Sequence, residues 1–129
     1  MGTIDESCLL GFYAIEYAAA GKPFRWTEAA SKFGIPVAKL RYCVRFYLLS
    51  SRPVELIANP FVLVKGCQVE VQIRSVPHLM IEFVANASNG WLELFLSCNP
   101  FQPSRHGEAD HRVLGLPISG IELTPVSDN

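Results

Sequence analysis

KLRYCVRFYLL, the segment Lys39–Leu49, alternates between two kinds of side chain along almost its whole length. Apolar and aromatic residues fill one set of alternate positions, which is Leu40, Tyr42, Val44, Phe46 and Leu48. Because successive side chains of a β-strand point to opposite faces, this pattern predicts a strand with one buried face. We therefore interpret Tyr42 and Phe46 as core residues rather than as platforms for nucleic-acid bases.

Other segments carry the same strand signal. In Cys67–Ile73 apolar residues occupy every second position from Cys67 onward, which predicts one half-buried strand. Leu79–Phe83 and Leu92–Leu96 repeat the alternation, and Phe61–Val64 is a short apolar run. The residues expected opposite the leucines of Leu92–Leu96 are Trp91, Glu93 and Phe95.

Turn signals separate these predicted strands. Lys65-Gly66 and Asn89-Gly90 are typical of tight reversals, and Asn-Gly is a strong hairpin signal. Asn99–Gly107 holds two prolines and a glycine and is the longest predicted loop.

Several short strands at near-regular spacing predict an all-β fold. We expect a single antiparallel β-sandwich, jelly-roll-like, with about seven or eight strands and at most one short helix.

The N-terminal third is ambiguous from its pattern alone. Ser7–Ala20 fits a helix that ends at Gly21, and Leu9–Tyr17 fits a strand equally well. Thr27–Phe33 fits one or two helical turns, with Thr27 as the N-cap and Gly34 as the terminator. If the fold contains a short helix, it is expected in this last segment.

Length and composition indicate one globular domain. We place its core roughly at residues 8–124 of the 129. Half of the residues are hydrophobic, 18% are charged and the formal net charge is −1, which argues against nucleic acid or an anionic membrane as a partner.

The longest apolar stretch, Cys8–Ile15, is too short to span a bilayer, and Asp5 and Glu6 precede it. We therefore expect no membrane span, no targeting segment and a cytoplasmic location.

Residues for metal or catalytic sites are sparse. The histidines are His78, His106 and His111, without a His-x-His pair. The cysteines, at positions 8, 43, 67 and 98, form no CxxC pair, and we expect four buried, reduced thiols. The chain has neither a Gly-x-Ser-x-Gly elbow nor a glycine-rich phosphate loop. The sequence thus predicts no metal, no cofactor and no catalytic residue.

The two tryptophans invite different interpretations. Trp26 is interpreted mainly as a core or rim residue, since large aromatic side chains are more often buried. Trp91 directly follows Asn89-Gly90 and shares a face with Glu93, so an exposed indole is equally plausible there. An exposed indole can hold a sugar ring, because the apolar face of a pyranose packs on it.

Charged pairs near the two ends of the chain suggest ionic contacts. Asp110 and Arg112 are two residues apart and share a face of an extended chain, and Glu16 is expected to meet Arg25. The planar guanidinium of arginine can hold a carboxylate with two hydrogen bonds. Such contacts either join the first and last strands or form a polar ligand site, and the structural interpretation is favoured.

Two motifs, one near each end, carry a resemblance to a known family. The front motif is Gly-aromatic-Tyr, then Glu, then Arg-Trp, and it stands here in Gly11–Glu16 and Phe24–Thr27. The rear motif is Asp-x-Arg-x-Leu-Gly, Asp110–Gly115, followed by Ile118–Leu123. In these motifs the chain resembles small β-sandwich modules found beside, or fused to, bacterial glycosyltransferases and sugar-modifying methyltransferases.

The resemblance extends from Leu10 to Leu123, with Phe12 standing where the family commonly has Trp. It implies strands at Leu9–Tyr17 and Phe24–Thr27. It also implies a non-enzymatic, carbohydrate-related binding or accessory module of bacterial origin. The expected partners are a glycan ligand and a neighbouring glycosyltransferase or methyltransferase. The residues to test first are Trp91, Trp26, Asp110, Arg112 and Glu16.

Two further hypotheses stay open. In the first, the chain is a structural or protein-interaction module that forms a homodimer through an apolar sheet face or edge. This hypothesis is based on Tyr47, Leu49 and Phe95, which fall on faces that could not be assigned to one core. Alternatively, it is a small enzyme with an active site inside the sandwich.

Overall fold

The computed structural model describes residues 9–18, 21–49, 59–75 and 78–127. The described part is all-β, with ten strands and a single 3-10 turn, Pro103–His106. The strands are β1 Leu9–Phe12, β2 Glu16–Tyr17, β3 Pro23–Pro36, β4 Arg41–Leu48, β5 Phe61–Val64, β6 Cys67–Val69, β7 Gln72–Arg74, β8 Met80–Asn86, β9 Trp91–Ser97 and β10 Pro117–Pro125.

All pairings between these strands are antiparallel, in the order β6-β5-β9-β3-β10-β4-β8-β7, and β1 and β2 also pair with β3. The predicted all-β, antiparallel class is therefore confirmed. The ten strands exceed the seven or eight expected, partly because two predicted strands are each divided into two.

The long strand β3 organises the sheet into two limbs. Its second half, Ala30–Pro36, pairs with β9, whereas Arg25 and Trp26 pair with β10. Strands that change partners in this way make the corners of curled sheets. The first limb contains β6, β5, β9, β1 and the second half of β3, and the second limb contains β10, β4, β8 and β7. The short helix that the pattern allowed at Thr27–Phe33 does not form, because this segment lies inside β3 and pairs on two sides.

A common apolar core lies between the two limbs. Phe33 of the first limb and Phe46 of the second are almost fully buried, with ring centroids 6.3 Å apart. The leucines Leu92, Leu94 and Leu96 and the predicted inward residues Tyr42, Val44 and Phe46 all belong to this core. Burying each large apolar side chain contributes about 1.5–3 kcal/mol to folding. The predicted faces are confirmed within β4 and β9, whereas Leu40, which was placed on the buried face and precedes β4, is 67% exposed.

Both predicted tight reversals are present, but only Lys65-Gly66 joins paired strands, β5 and β6. Asn89-Gly90 is closed by an isolated Ser88–Trp91 bridge and leads from β8 to β9, which lie in different limbs. Lys65 and Gly66 both have positive φ, 52° and 76°, and so do Asn89 and Gly90, at 54° and 79°. Two consecutive positive φ values are typical of two-residue reversals, which explains why Asn-Gly predicted a tight turn here even though the flanking strands do not pair.

Two segments differ from their predicted strand lengths. Cys67–Ile73 does not form one strand: β6 pairs with β5 in the first limb and β7 pairs with β8 in the second. Cys67 and Ile73 are consequently exposed rather than buried. In the N-terminal third, the strand alternative is confirmed by β1 and β2. Ser7, Cys8, Ala19 and Ala20 lie outside the described residues.

Candidate functional site

The three segments of the front and rear motifs meet at one place, which we call the motif junction: Gly11–Glu16, Phe24–Thr27 and Asp110–Leu116. The Tyr13 N–H donates to the Trp26 carbonyl at 2.8 Å, and the Tyr13 hydroxyl donates to the Val113 carbonyl at 3.2 Å. The buried Thr27 accepts the Leu116 N–H on its hydroxyl at 3.0 Å and donates its own N–H to the Leu116 carbonyl at 2.9 Å. These bonds join the two ends of the chain through β3.

Two glycines allow this close approach. A Cβ on Gly11 would lie 2.6 Å from the Ala30 carbonyl oxygen, and the φ of Gly11 is +78°. A Cβ on Gly115 would overlap the carbonyl oxygen of Glu28 and the hydroxyl of Thr27. Glycine is therefore required at both positions because the backbones touch. The motif pattern contained both glycines, but nothing local in the sequence shows which backbone each one meets.

Arg112 is the centre of an ionic triad with Asp110 and Glu16. Its Nη2 donates to Asp110 Oδ2 at 2.7 Å, and its Nη1 donates to Glu16 Oε2 at 2.8 Å across 96 residues of sequence. Its guanidinium carbon lies 5.1 Å from the centroid of the Tyr13 ring. The three charged side chains are each about a third exposed, between 32% and 36%. The predicted Asp110–Arg112 contact is confirmed.

The predicted partner of Glu16 is wrong, since Glu16 meets Arg112 instead of Arg25. The register explains the difference: Glu16 is directly opposite Phe24, so the next residue, Arg25, points to the other face of β3. Arg25 donates from Nη1 to the Tyr13 carbonyl at 3.1 Å. The sequence contained the right residues, but local spacing does not show the pairing of β2 with β3.

The charges of the triad stabilise one another. Hydrogen bonds from the Arg112 side chain, and then from its backbone N–H, lower the pKa of the Asp110 carboxyl. Hydrogen bonds to Asp110 and then to Glu16 raise the pKa of Arg112 above its ordinary value. Nε, Nη1 and Nη2 of the guanidinium all donate to carboxylate oxygens. With every guanidinium nitrogen used internally, this geometry favours a structural role, and a ligand-binding role for the triad stays a prediction.

Trp26 belongs to a small apolar cluster with Phe24, Phe101 and Leu114. Its side chain is 6% exposed, and its ring centroid is 6.3 Å from that of Phe24 and 6.0 Å from that of Phe101. The favoured interpretation of Trp26 as a packed residue agrees with this burial. An indole in this position presents no open face to a sugar ring, so its place among the ligand-binding candidates gains no support from its burial.

Trp91 is the opposite case, with a side chain that is 48% exposed. It starts β9, directly after the Asn89-Gly90 turn, and its backbone is fixed by reciprocal N–H···O=C bonds with Ser88 of 2.8 and 3.0 Å. Trp91 borders a small cavity of about 40 Å³, which we call the Trp91 cleft. The polar residues that line this cleft are Lys65, Asn86, Ser88 and Glu93.

A second exposed aromatic residue lies further along β9. Phe95 is 50% exposed, and the Nζ of Lys32 is 5.5 Å from its ring centroid. Phe95, Lys32, Leu10 and Glu28 border an open cavity of about 290 Å³, which we call the Phe95 cleft. The alternation placed Phe95 on the outer face of β9, but its neighbours come from β1 and β3 and depend on register.

Another ionic network covers the outer face of the second limb. Arg45 donates to Glu82 at 2.6 Å and to Glu122 at 2.8 Å, and Arg74 donates to Glu82 at 3.2 Å. The hydrogen bond from Arg45, followed by that from Arg74, lowers the pKa of Glu82 despite some desolvation. These charged side chains pair with one another across β10, β4, β8 and β7. This arrangement is typical of a sheet face that is in contact with water.

The histidines and cysteines are the remaining candidates for metal binding or catalysis, and in the described part of the chain they do not form a common site. His78, His106 and His111 are all exposed, and the described residues contain no group of three side chains suited to hold a metal ion. The prediction of four buried thiols is wrong for Cys67, which is exposed, and for Cys43, which is half-buried. Cys98 is buried, Cys43 and Cys67 are free thiols, and Cys8 lies outside the described residues.

Comparisons with known proteins return no matching family model, curated protein or solved structure. The resemblance to modules that accompany glycosyltransferases and sugar-modifying methyltransferases therefore stays a prediction. Among the described residues there is no helix with the length and apolar character needed to cross a bilayer.

Proposed function

We propose that this chain is a carbohydrate-binding accessory module and that a sugar ring packs on the exposed side chain of Trp91, beside the small Trp91 cleft. The single observation that supports this most is the half-exposed indole beside four polar side chains. Small-molecule sites combine an apolar or aromatic surface with a few polar groups that fix orientation. The Trp91 cleft has this composition, whereas the motif junction uses its polar groups internally.

Each residue of the cleft has a role in the proposal. The face of the indole packs against the apolar face of a pyranose ring. Asn86 and Ser88 can both donate and accept hydrogen bonds, so they suit hydroxyl groups, which do the same. Glu93 accepts and Lys65 donates, which completes a set of partners for several hydroxyls around one ring.

The scaffold keeps this cleft in place. Trp91 lies at the start of a regular strand, and its register partner on β3 is Pro36. The Val37 N–H donates to the Gly90 carbonyl at 2.9 Å, so the turn that carries the indole is bonded to the end of β3. A site built on bonded strands loses little conformational freedom when a ligand binds.

Tryptophan fluorescence tests the proposal, because one of the two tryptophans is buried and the other is exposed. Titration with a panel of neutral oligosaccharides is expected to change Trp91 emission in the wild type. Trp91→Ala should weaken binding at least about tenfold, measured by calorimetry, because the stacking surface is removed. Ile73→Ala, which removes an exposed apolar side chain on the other limb, is the matched control and should bind normally. A panel in which no sugar binds the wild type would contradict the proposal.

A second candidate function is self-association through the outer face of the first limb. Leu10, Phe95 and Phe61 are exposed there, and Leu10 is 70% exposed. Exposed apolar groups that lie close together are typical of protein contact surfaces. Light scattering coupled to gel filtration is the test: a dimer that Leu10→Lys converts to a monomer would support this candidate, and a wild-type monomer would remove it.

A further inference from the structure

The outer face of β9 carries two aromatic residues in one row, which we call the β9 row: Trp91, Glu93 and Phe95. All three side chains are exposed on the same face of the strand. Residues four positions apart in a strand are separated by about 13 Å, because the rise is about 3.3 Å per residue. That distance is longer than a single sugar ring, so one ring cannot contact Trp91 and Phe95 together.

Between the two aromatic residues, the neighbouring strand β3 contributes a glycine and therefore no side chain. Glu93 is directly opposite Gly34 of β3, which has no side chain to rise above the sheet. A Cβ placed on Gly34 would be 3.6 Å from the Glu93 side chain, so even an alanine would occupy space beside it. The carboxylate of Glu93 is thus the principal polar group between the two aromatic rings, with an open strip of backbone next to it.

The charges along the row are balanced at both ends. Lys65 and Glu93 line the Trp91 cleft, and Lys32 and Glu28 line the Phe95 cleft. One cation and one anion at each cleft give no net field that would attract a charged polymer. The same side chains offer both donors and acceptors to hydroxyl groups.

From these observations we infer that the β9 row binds a linear, uncharged oligosaccharide, with Trp91 and Phe95 as two separate ring subsites and Glu93 hydrogen-bonding the unit between them. This inference rests on the proposed carbohydrate-binding function and specifies its ligand class. The Phe95 cleft, with Leu10 and Lys32 at its border, is the second subsite. The occupant is a chain of several sugar units rather than a monosaccharide.

The test is a length series measured by calorimetry. Neutral gluco-, manno-, galacto- and N-acetylglucosamine oligomers, from monosaccharide to hexasaccharide, are titrated into the wild type, Trp91→Ala, Phe95→Ala and Ile73→Ala. For a series that binds, wild-type affinity should rise with chain length and then level off. Phe95→Ala should weaken the hexasaccharide about tenfold and leave the monosaccharide unchanged, whereas Trp91→Ala should weaken both. Ile73→Ala should match the wild type.

The outcomes separate the inference from the function on which it rests. Binding that does not depend on chain length, with Phe95→Ala equal to the wild type, overturns the second subsite and leaves the Trp91 cleft as a sugar site. Tighter binding of an acidic oligosaccharide, weakened by salt, overturns the uncharged ligand class. Absence of binding by every neutral series overturns both the inference and the proposed function. Unfolding midpoints of the variants, measured in parallel, show that each binding change comes from a folded protein.

Discussion

The motif junction and the β9 row contain similar residue types but use them in opposite ways. In the junction, Trp26 is buried, and the charges of Glu16, Asp110 and Arg112 are paired with one another. In the β9 row, the aromatic side chains are half-exposed and border clefts. The comparison teaches that the residues of a clear sequence motif can serve to connect distant segments of the chain. Residues at every second position of an ordinary strand, by contrast, can stay exposed and accessible to a ligand.

The largest expected effect separates the two tryptophans. Trp26→Ala should destabilise the protein by about 3–5 kcal/mol, because it leaves a cavity among Phe24, Phe101 and Leu114. Trp91→Ala should cost less than about 1 kcal/mol, because half of the indole is already in water. Denaturant unfolding of both variants measures the difference. Equal losses would show that the junction is not the more tightly packed region.

The next effect concerns the close contact at Gly115. Gly115→Ala should destabilise by about 2–3 kcal/mol, since the new Cβ would overlap the backbone of β3. Gly34→Ala is the matched control, because its Cβ would make only an ordinary contact of 3.6 Å with Glu93. Thermal unfolding compares them, and a Gly115→Ala midpoint as high as that of Gly34→Ala would contradict the contact.

A smaller loss is expected when the triad is broken. Asp110→Ala should destabilise by about 1 kcal/mol, because Arg112 loses one of its two carboxylate partners at a site that is only about a third exposed. Arg74→Ala, which removes an ion pair on a more exposed side chain, should change stability by less than about 0.5 kcal/mol. An Asp110→Ala midpoint identical to the wild type would remove the role of the triad as a tie between the chain ends.

The smallest effect is the acid dependence of the same contact. Arg112 lowers the pKa of folded Asp110 below the value of about 3.9 for an unfolded aspartate. The stabilisation is therefore complete above the unfolded-state pKa and is lost as the pH falls through the folded-state pKa. The stability difference between wild type and Asp110→Asn should shrink between neutral pH and about pH 3. Glu108→Gln, an exposed neighbour, is the control; a difference that stays constant or grows in acid would show the opposite linkage.

Alternation allowed most strands and their buried faces to be predicted from the sequence. Val44, Phe46, Leu92 and Leu94 are buried as their positions indicated, because the two-residue period is a property of the local backbone. The break inside Cys67–Ile73 could not be predicted, since β6 and β7 find their partners in different limbs. The strand at Thr27–Phe33 could not be predicted from its local pattern either, because pairing with strands on two sides overrides the local helix signals.

The candidate site was only partly predictable for the same reason. The sequence indicated Glu16, Asp110 and Arg112, but the direct opposition of Glu16 and Phe24 decides which arginine Glu16 meets. Trp91 could be indicated from the preceding turn, whereas Lys65 reaches its cleft from the β5–β6 turn. Contacts between distant segments depend on register, which a local pattern does not contain.

The most direct test of the account is one oligosaccharide titration of three proteins: wild type, Asp110→Ala and Trp91→Ala, each below its unfolding temperature. The junction holds the chain ends and the β9 row holds the ligand, so Asp110→Ala should bind with wild-type affinity although it unfolds earlier. Trp91→Ala should lose binding at nearly wild-type stability. The reverse result, in which Asp110→Ala loses the sugar and Trp91→Ala retains it, would contradict the account and place the ligand at the motif junction.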